Sequence, residues 1–181
     1  MLEGHPLKKL FAELTRETFY GELHHYDSEM ASYLVELLVD FTYVENLYKI
    51  RDAGGRRLED VGEMLIESNP LLGADSFDRE REVRKHVGDY TLFFTGLFPE
   101  HLKRPRRSVA LDYFVDYVKA GKESYEIVSK FDQFEYRKVA PLFRRLAENF
   151  ELCVYGLNRV GDALRRMQDR YYQHVERTLL T

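Results

Sequence analysis

Apolar residues recur at intervals of three and four along most of this chain, and this spacing is typical of amphipathic helices. The first such segment covers residues 6–25. A second segment begins at Asp27 or Ser28, either of which can cap a helix, and it extends to about Ile50. The apolar surface of this second segment is so broad that we expect it to be the central helix of the fold.

Three further helices are predicted in the middle of the chain. A short one covers residues 58–67, a longer one covers residues 79–97, and a third covers residues 108–131. Glycine, proline and asparagine residues separate these segments. No segment alternates apolar and polar residues as a half-buried strand does, so the sequence predicts an all-α bundle of about six helices.

The segment from Pro141 to Leu180 has the most regular pattern of all. Its seam advances in heptad steps of four and three through Val139, Phe143, Leu146, Phe150, Cys153, Leu157, Val160, Leu164, Met167, Tyr171, His174 and Thr178. As one continuous helix it would be about 60 Å long, which is longer than a domain of this size covers. We therefore expect either a bend at Gly156 or Gly161, or a homodimer in which residues 164–178 pair with a second copy.

Length and composition predict one folded domain over residues 1–181. Hydrophobic residues make up 44% of the chain and charged residues 32%, and no apolar run approaches the length of a membrane span. The amino terminus lacks the features of a signal peptide, and a single cysteine, Cys153, permits neither an internal disulfide nor a thiolate zinc cage. These features predict a cytoplasmic protein with no membrane partner.

Charge argues against a nucleic-acid partner. The net charge is -4, and the basic run from Lys103 to Arg107 lies at a helix end, with acidic residues nearby. The chain contains neither helix-turn-helix spacing nor an aromatic RNA-binding platform. Nucleotide-binding, zinc-protease and serine-hydrolase motifs are also missing from the sequence, and no cofactor can be assigned.

One cluster of titratable residues lies on the flank of the helix predicted at residues 79–97. Glu82, His86 and Asp89 follow one another at helical spacing there. They could share a metal ion, or Asp89 could orient His86 as a general base. The alternative is a partly buried histidine with hydrogen-bonding neighbours. Glu45 joins the catalytic candidates because a carboxylate on the apolar side of the second helix is costly unless it is paired.

A second candidate metal cluster lies at the end of the first helix. Glu17, His24 and His25 share a side if that helix continues, and Glu22 and His25 have the Glu-x-x-His spacing of a di-iron ligand pair. A di-iron bundle normally contains two such pairs, and this sequence has no second one. Surface histidines near a helix end are the alternative interpretation.

Two glycines interrupt the helix at residues 79–97. Gly88 and Gly96 predict the close approach of neighbouring helices, because glycine places no side chain between two backbones. A small-molecule pocket beside them is the functional alternative. The tyrosines that could border such a pocket, rather than simply fill the core, are Tyr90, Tyr113, Tyr117 and Tyr125.

A series of short motifs surrounds these glycines: Val87-Gly88-Asp89, Leu92-Phe93, Gly96-Leu97-Phe98-Pro99, Asp112-Tyr113-Phe114, Gly121 and Tyr125. This series, which covers the middle quarter of the chain, resembles a pattern in uncharacterised bacterial all-helical proteins. The resemblance implies a bacterial source and a helical fold, and it assigns no catalytic residue, ligand or cofactor.

Two functional hypotheses follow from the sequence. The first is an intracellular helical binding or assembly module that forms a homodimer through its last helix. The second is a metal- or His-dependent enzyme that uses the Glu/His/Asp cluster. The heptad seam and the missing motifs favour the first hypothesis.

Overall fold

The computed structural model describes the backbone of residues 6–102 and 110–180, and all of their side chains except those of residues 6, 110–115, 171, 175, 179 and 180. Ten α-helices lie in this part of the chain: α1 (Pro6–Arg16), α2 (Ser28–Asp40), α3 (Val44–Leu47), α4 (Val61–Glu67), α5 (Phe77–Leu97), α6 (Pro99–Leu102), α7 (Ala110–Ser129), α8 (Ala140–Glu148), α9 (Phe150–Met167) and α10 (Arg170–Leu180). A π turn at Glu17–Glu22 continues α1, and a 3-10 turn lies at Phe134–Tyr136. The predicted all-α fold is confirmed.

The second predicted helix is shorter than expected. Its start agrees with the prediction, because the side chain of Asp27 accepts a hydrogen bond from the backbone N–H of Met30 at 3.0 Å. Its end was predicted at about Ile50, but α2 stops at Asp40. The hydroxyl of Thr42 donates to the carbonyl of Val39 at 2.7 Å, so this side chain takes up a carbonyl at the helix end.

The C-terminal segment is also divided, although not at the expected residues. The breaks lie at Asn149, between α8 and α9, and at Gln168, which adopts the left-handed conformation with φ 51°. The predicted bend at Gly156 or Gly161 is wrong, because both glycines lie buried within α9. A Cβ atom at Gly156 would lie 2.3 Å from the ring of Phe19, so this glycine serves helix packing.

The heptad seam is mainly a feature of the core. Its members from Phe143 to Leu164 are buried: Phe143, Leu146, Phe150, Cys153, Leu157, Val160 and Leu164. The seam leaves the core at Met167, whose side chain is 56% exposed. Over most of its length, the heptad seam therefore packs α8 and α9 against the rest of the bundle.

The central helix is α5, and the expectation that the second helix would be central is wrong. Every residue from His86 to Phe98 is buried. Helices α2, α4, α7 and α9 all pack against α5. Asp89 is the only one of these buried residues with an acidic side chain, and burial of a carboxylate is costly unless hydrogen bonds or a cation compensate it.

The two glycines of α5 allow the predicted close approach. A Cβ atom at Gly88 would lie 2.4 Å from Cε1 of Tyr125, and one at Gly96 would lie 2.6 Å from Cβ of Leu157. Tyr125 belongs to α7 and Leu157 to α9. Glycine at both positions thus lets the side chains of neighbouring helices reach the α5 backbone. In the described part of the chain, no helix has the length and apolar character required to cross a membrane.

Candidate functional site

Asp89 lies in the middle of α5, and its carboxylate has three hydrogen-bond donors. One oxygen, Oδ1, accepts from the hydroxyls of Tyr33 at 2.5 Å and Tyr125 at 2.7 Å. The other, Oδ2, accepts from the ammonium of Lys85 at 2.6 Å. The side chain of Asp89 is only 7% exposed. The cation and the two hydroxyls compensate the cost of placing this charge inside the protein.

Three helices place these donors around Asp89. Lys85 precedes it by one turn on α5, so the two side chains lie on the same side of that helix. Tyr33 comes from α2 and Tyr125 from α7. The Tyr125 ring lies against Gly88, which places its hydroxyl within reach of the neighbouring carboxylate. Gly88 therefore positions a donor for Asp89 in addition to its role in helix packing.

Both tyrosines remain protonated donors at physiological pH. Burial raises the pKa of the Tyr33 and Tyr125 hydroxyls well above 10, and the negative charge of Asp89 raises them further. A neutral hydroxyl that donates to a carboxylate makes a stronger hydrogen bond than one between two neutral groups. The two tyrosines thus hold the carboxylate in a fixed orientation.

A cavity of about 170 Å³ opens beside this network. The residues that line it are Tyr33, Glu36, Leu37, Asp40, Phe41, Lys85 and Asp89. The Lys85 ammonium lies 5.3 Å from the centre of the Tyr33 ring, within the range of a cation–π contact. Asp89 thus contributes a charged group to the wall of an open pocket.

Asp40 is the second carboxylate of interest in this pocket. It is half-buried, and its Oδ1 accepts a hydrogen bond from the side-chain amide of Asn46 at 2.8 Å. Burial raises the pKa of Asp40, the positive charge of Lys49 opposes this effect, and the negative charge of Asp89 adds to it. Among the described residues, no lysine, arginine or histidine lies at ion-pairing distance from Asp40.

His86 has no exposed surface and does not line the pocket. Its Nε2 lies 3.0 Å from the carbonyl of Leu47, and among the described residues its Nδ1 has no hydrogen-bond partner. Burial lowers the pKa of His86 to about 4, and the positive charge of Lys49 acts in the same direction. His86 is therefore neutral at physiological pH, and the expected orientation of this imidazole by Asp89 is not observed.

Two other candidates from the sequence lie apart from the pocket lining. Glu82 forms an ion pair with Arg79 at 3.1 Å. Glu45 is exposed in the first turn of α3. Helix α2 ends at Asp40, five residues before Glu45, so the continuous helix that would have placed Glu45 among apolar neighbours does not form. The pocket therefore contains Asp89 from the predicted Glu/His/Asp group, without Glu45, Glu82 or His86.

The residues of the predicted N-terminal metal cluster are not arranged as ligands. Glu17 and His24 are exposed, and His24 adopts a positive φ of 51° after the π turn has ended the helix. Glu22 forms an ion pair with Arg159 at 3.0 Å. Within residues 6–102 and 110–180, no three or more His, Cys, Asp and Glu side chains are grouped so that they could hold a metal ion.

The space beside the two glycines is filled by side chains rather than open to a ligand. Tyr125 covers Gly88, and Leu157 covers Gly96. Tyr90 is buried and donates to the carbonyl of Glu59 at 3.1 Å, and the half-buried Tyr117 lies next to it, with ring centres 6.4 Å apart. The side chain of Tyr113 and the basic run from Lys103 to Arg107 lie outside the described residues.

Sequence reasoning missed Tyr33, Asp40 and Lys85. A signal for Lys85 was present, because a lysine four residues before an aspartate in a largely apolar helix is a typical ion pair. Tyr33 and Asp40 gave no comparable signal, because nothing in the sequence shows that α2 lies beside α5.

No protein-family model matches this chain, and comparisons with curated proteins and with solved structures found no match either.

Proposed function

We propose that this protein is a helical binding module whose ligand site is the pocket beside Asp89. The observation that carries the proposal is a nearly buried carboxylate, fixed by two tyrosine hydroxyls and an ammonium, in the wall of an open cavity. Binding sites commonly combine an apolar lining with a few polar groups held in fixed positions. Leu37 and Phe41 supply the apolar part here.

The alternative, a metal- or His-dependent enzyme, receives less support from the same geometry. A general base must come within hydrogen-bonding reach of the proton that it removes. His86 has no exposed surface, its Nε2 contacts the carbonyl of Leu47, and it lies outside the pocket lining. The residues of the predicted enzyme site thus do not meet at one cavity.

The binding proposal can be tested with protein that carries 13C-labelled tyrosine. A set of small fragments that spans amines, carboxylic acids and neutral polar compounds is screened by NMR. We expect the fragments that bind to shift the Tyr33 and Tyr125 signals and to lose this effect in Asp89→Asn. Asp162→Asn is the matched control, because Asp162 pairs with Arg165 at the surface. Fragments that shift only other tyrosines, or that bind Asp89→Asn equally well, would contradict the proposal.

A homodimer is the second candidate, and the exposure of Met167 favours it. Met167 is the point at which the heptad seam leaves the core, and the later seam residues His174 and Thr178 are exposed on α10. We propose that two copies pair through this end of the molecule. A bacterial, cytoplasmic setting completes the proposal and rests on the sequence resemblance and on the single, buried Cys153.

Sedimentation velocity tests the homodimer. We expect the wild-type protein to be dimeric at high concentration and Met167→Glu to be monomeric, because a charge on the seam opposes apolar pairing. Tyr155→Glu is the control, because Tyr155 on α9 has the same exposed fraction of 56% and lies outside the seam. A wild-type protein that stays monomeric at all concentrations would contradict this proposal, and so would equal effects of the two substitutions.

A further inference from the structure

We infer that the pocket beside Asp89 takes a small organic ammonium ion, and that the side chain of Lys85 is the internal group with which this ligand competes. The inference rests on the proposed binding function and adds the chemical class of the ligand. It starts from the charges of the seven residues that line the pocket, which include three carboxylates and one ammonium.

The three carboxylates differ in their partners. Glu36 pairs with Lys8 outside the pocket lining at 2.6 Å, and Asp89 pairs with Lys85. Asp40 accepts a hydrogen bond from the neutral amide of Asn46, and its charge interacts with those of Lys49 and Asp89, but it forms no ion pair with any described residue. A positive group in this pocket would therefore face a half-buried carboxylate that no cation contacts among the described residues.

Lys85 itself shows how the pocket accommodates an ammonium. Its Nζ donates to Asp89 at 2.6 Å and lies 5.3 Å from the centre of the Tyr33 ring, so a carboxylate and an aromatic ring face the same cation. These two features recur at sites that bind organic ammonium groups. The position next to Asp89 and Tyr33 is thus already suited to an alkylammonium head.

The rest of the lining favours an organic cation over a metal ion. Leu37 and Phe41 offer apolar surface to the carbon atoms of an alkyl chain. Hard metal ions require several oxygen ligands around one point, and the described residues contain no suitable group of three or more His, Cys, Asp and Glu side chains. The ligand class that matches both the charge and the apolar lining is a small primary alkylamine in its protonated form.

The ammonium of Lys85 can move away from Asp89 when a ligand binds. Its side chain is 34% exposed and flexible, so its ammonium can turn toward water when another ammonium binds Asp89. The ligand must then compete with a group that is covalently attached to the site. Removal of the lysine charge should strengthen binding of an external ammonium, whereas removal of the Asp40 charge should weaken it.

The test is a titration with n-butylammonium chloride at constant ionic strength, followed through the 13C signals of Tyr33 and Tyr125. Three other compounds serve as probes. n-Butanol has the same size without the charge, sodium butyrate carries the opposite charge, and potassium chloride tests the binding of an inorganic cation. We expect saturable binding of n-butylammonium alone. Lys85→Met, which keeps an apolar stem, should bind it about fivefold more tightly, and Asp40→Asn should bind it about fivefold more weakly.

The outcomes separate this inference from the proposed function. If other fragments bind at Tyr33 and Tyr125 while n-butylammonium does not, the ligand class is wrong and the binding function stands. If no fragment of any class binds there, both fail. Binding that is equally tight in wild-type protein and Lys85→Met would overturn the role of Lys85 as a competitor. Equal binding of potassium ions would overturn the preference for an organic cation. Asp162→Asn, which changes none of the residues that line the pocket, should bind like the wild type.

Discussion

His86 and Asp89 lie three residues apart on α5, yet their surroundings differ in kind. The imidazole of His86 lies among the rings of Phe41 and Tyr90, with ring centres 5.6 and 6.0 Å away, and a single backbone carbonyl contacts it. The carboxylate of Asp89 has an ammonium and two hydroxyls as partners. Burial without a counter-charge favours the neutral form of a group, and burial with charged and hydroxyl donors can retain the charge.

This difference also gives the two residues different roles, because His86 belongs to the core and Asp89 to the candidate binding site. The neutral His86 contributes to the core, where the cost of charging it keeps it unprotonated. Asp89 retains strong donors and adjoins a cavity that opens toward solvent. The pocket therefore lies beside Asp89, the residue of the two whose polar atoms have charged and hydroxyl partners.

The largest effect is expected at Gly88, which lies between the two residues. The Cβ atom in Gly88→Ala would lie 2.4 Å from the fully buried Tyr125 ring, so the ring must move and its hydrogen bond to Asp89 is lost. We expect the free energy of unfolding, measured in urea, to fall by about 4 kcal/mol.

Gly21→Ala is the control for this substitution, because apart from its own helix no described residue lies within 4 Å of the position of its added Cβ. Because alanine favours helical backbone over glycine, we expect its free energy of unfolding to stay the same or to rise by up to about 1 kcal/mol. Equal unfolding midpoints for Gly88→Ala and the wild type would show that Tyr125 can move freely, and the fixed orientation of Asp89 would lose its basis.

A pH series tests the buried, neutral state of His86. The pKa of His86 is about 4 in the folded protein, whereas a histidine that is not buried has a pKa of 6.5. The unfolded chain therefore binds a proton at this residue at a higher pH than the folded protein does. The free energy of unfolding should therefore fall by about 3 kcal/mol as the pH decreases from 6.5 to 4.

His86→Gln isolates this contribution, because glutamine has no titration in this range. Other groups titrate in both proteins, so the quantity to measure is the difference between their stabilities at each pH. We expect the advantage of the wild type over His86→Gln to shrink by about 3 kcal/mol over this interval. A constant difference would mean that His86 is accessible to protons in the folded state and that the surroundings of His86 and Asp89 differ less than described.

Sequence patterns predicted several local features, since these depend on neighbouring residues. The cap at Asp27, the span of α5 and the close approach at Gly88 all follow from spacing and residue type. The break after Asp40 was missed because periodicity continues across it, with Leu47 and Ile50 both buried on its far side. Likewise, the seam continues in phase across Asn149 although the helix does not.

The site was predicted only in part, for a related reason. Helical spacing placed His86 and Asp89 on one flank of a helix, but it contained no information on which elements lie against that flank. Helix α2 brings Tyr33 to Asp89, and the end of α3 brings the Leu47 carbonyl to His86. The difference between the charged surroundings of Asp89 and the neutral surroundings of His86 arises from these long-range neighbours.

The smallest effect is expected from the two hydroxyls that hold Asp89, and they should not be equivalent. Tyr125→Phe leaves one acceptor of a buried carboxylate with a single hydroxyl partner at a position that is fully buried, and we expect it to lower the free energy of unfolding by about 2 kcal/mol. Tyr33 is half-buried at the pocket, where water can replace its hydroxyl, so Tyr33→Phe should cost about 1 kcal/mol.

Urea unfolding of both variants and of the double variant measures each loss and their coupling. Because both hydroxyls donate to Oδ1, removal of one should make the other more important, and the double variant should lose more than the two single losses added together. Equal single losses would mean that the pocket side of Asp89 is as inaccessible to water as the core side, and the contrast with His86 would then depend on charge partners alone.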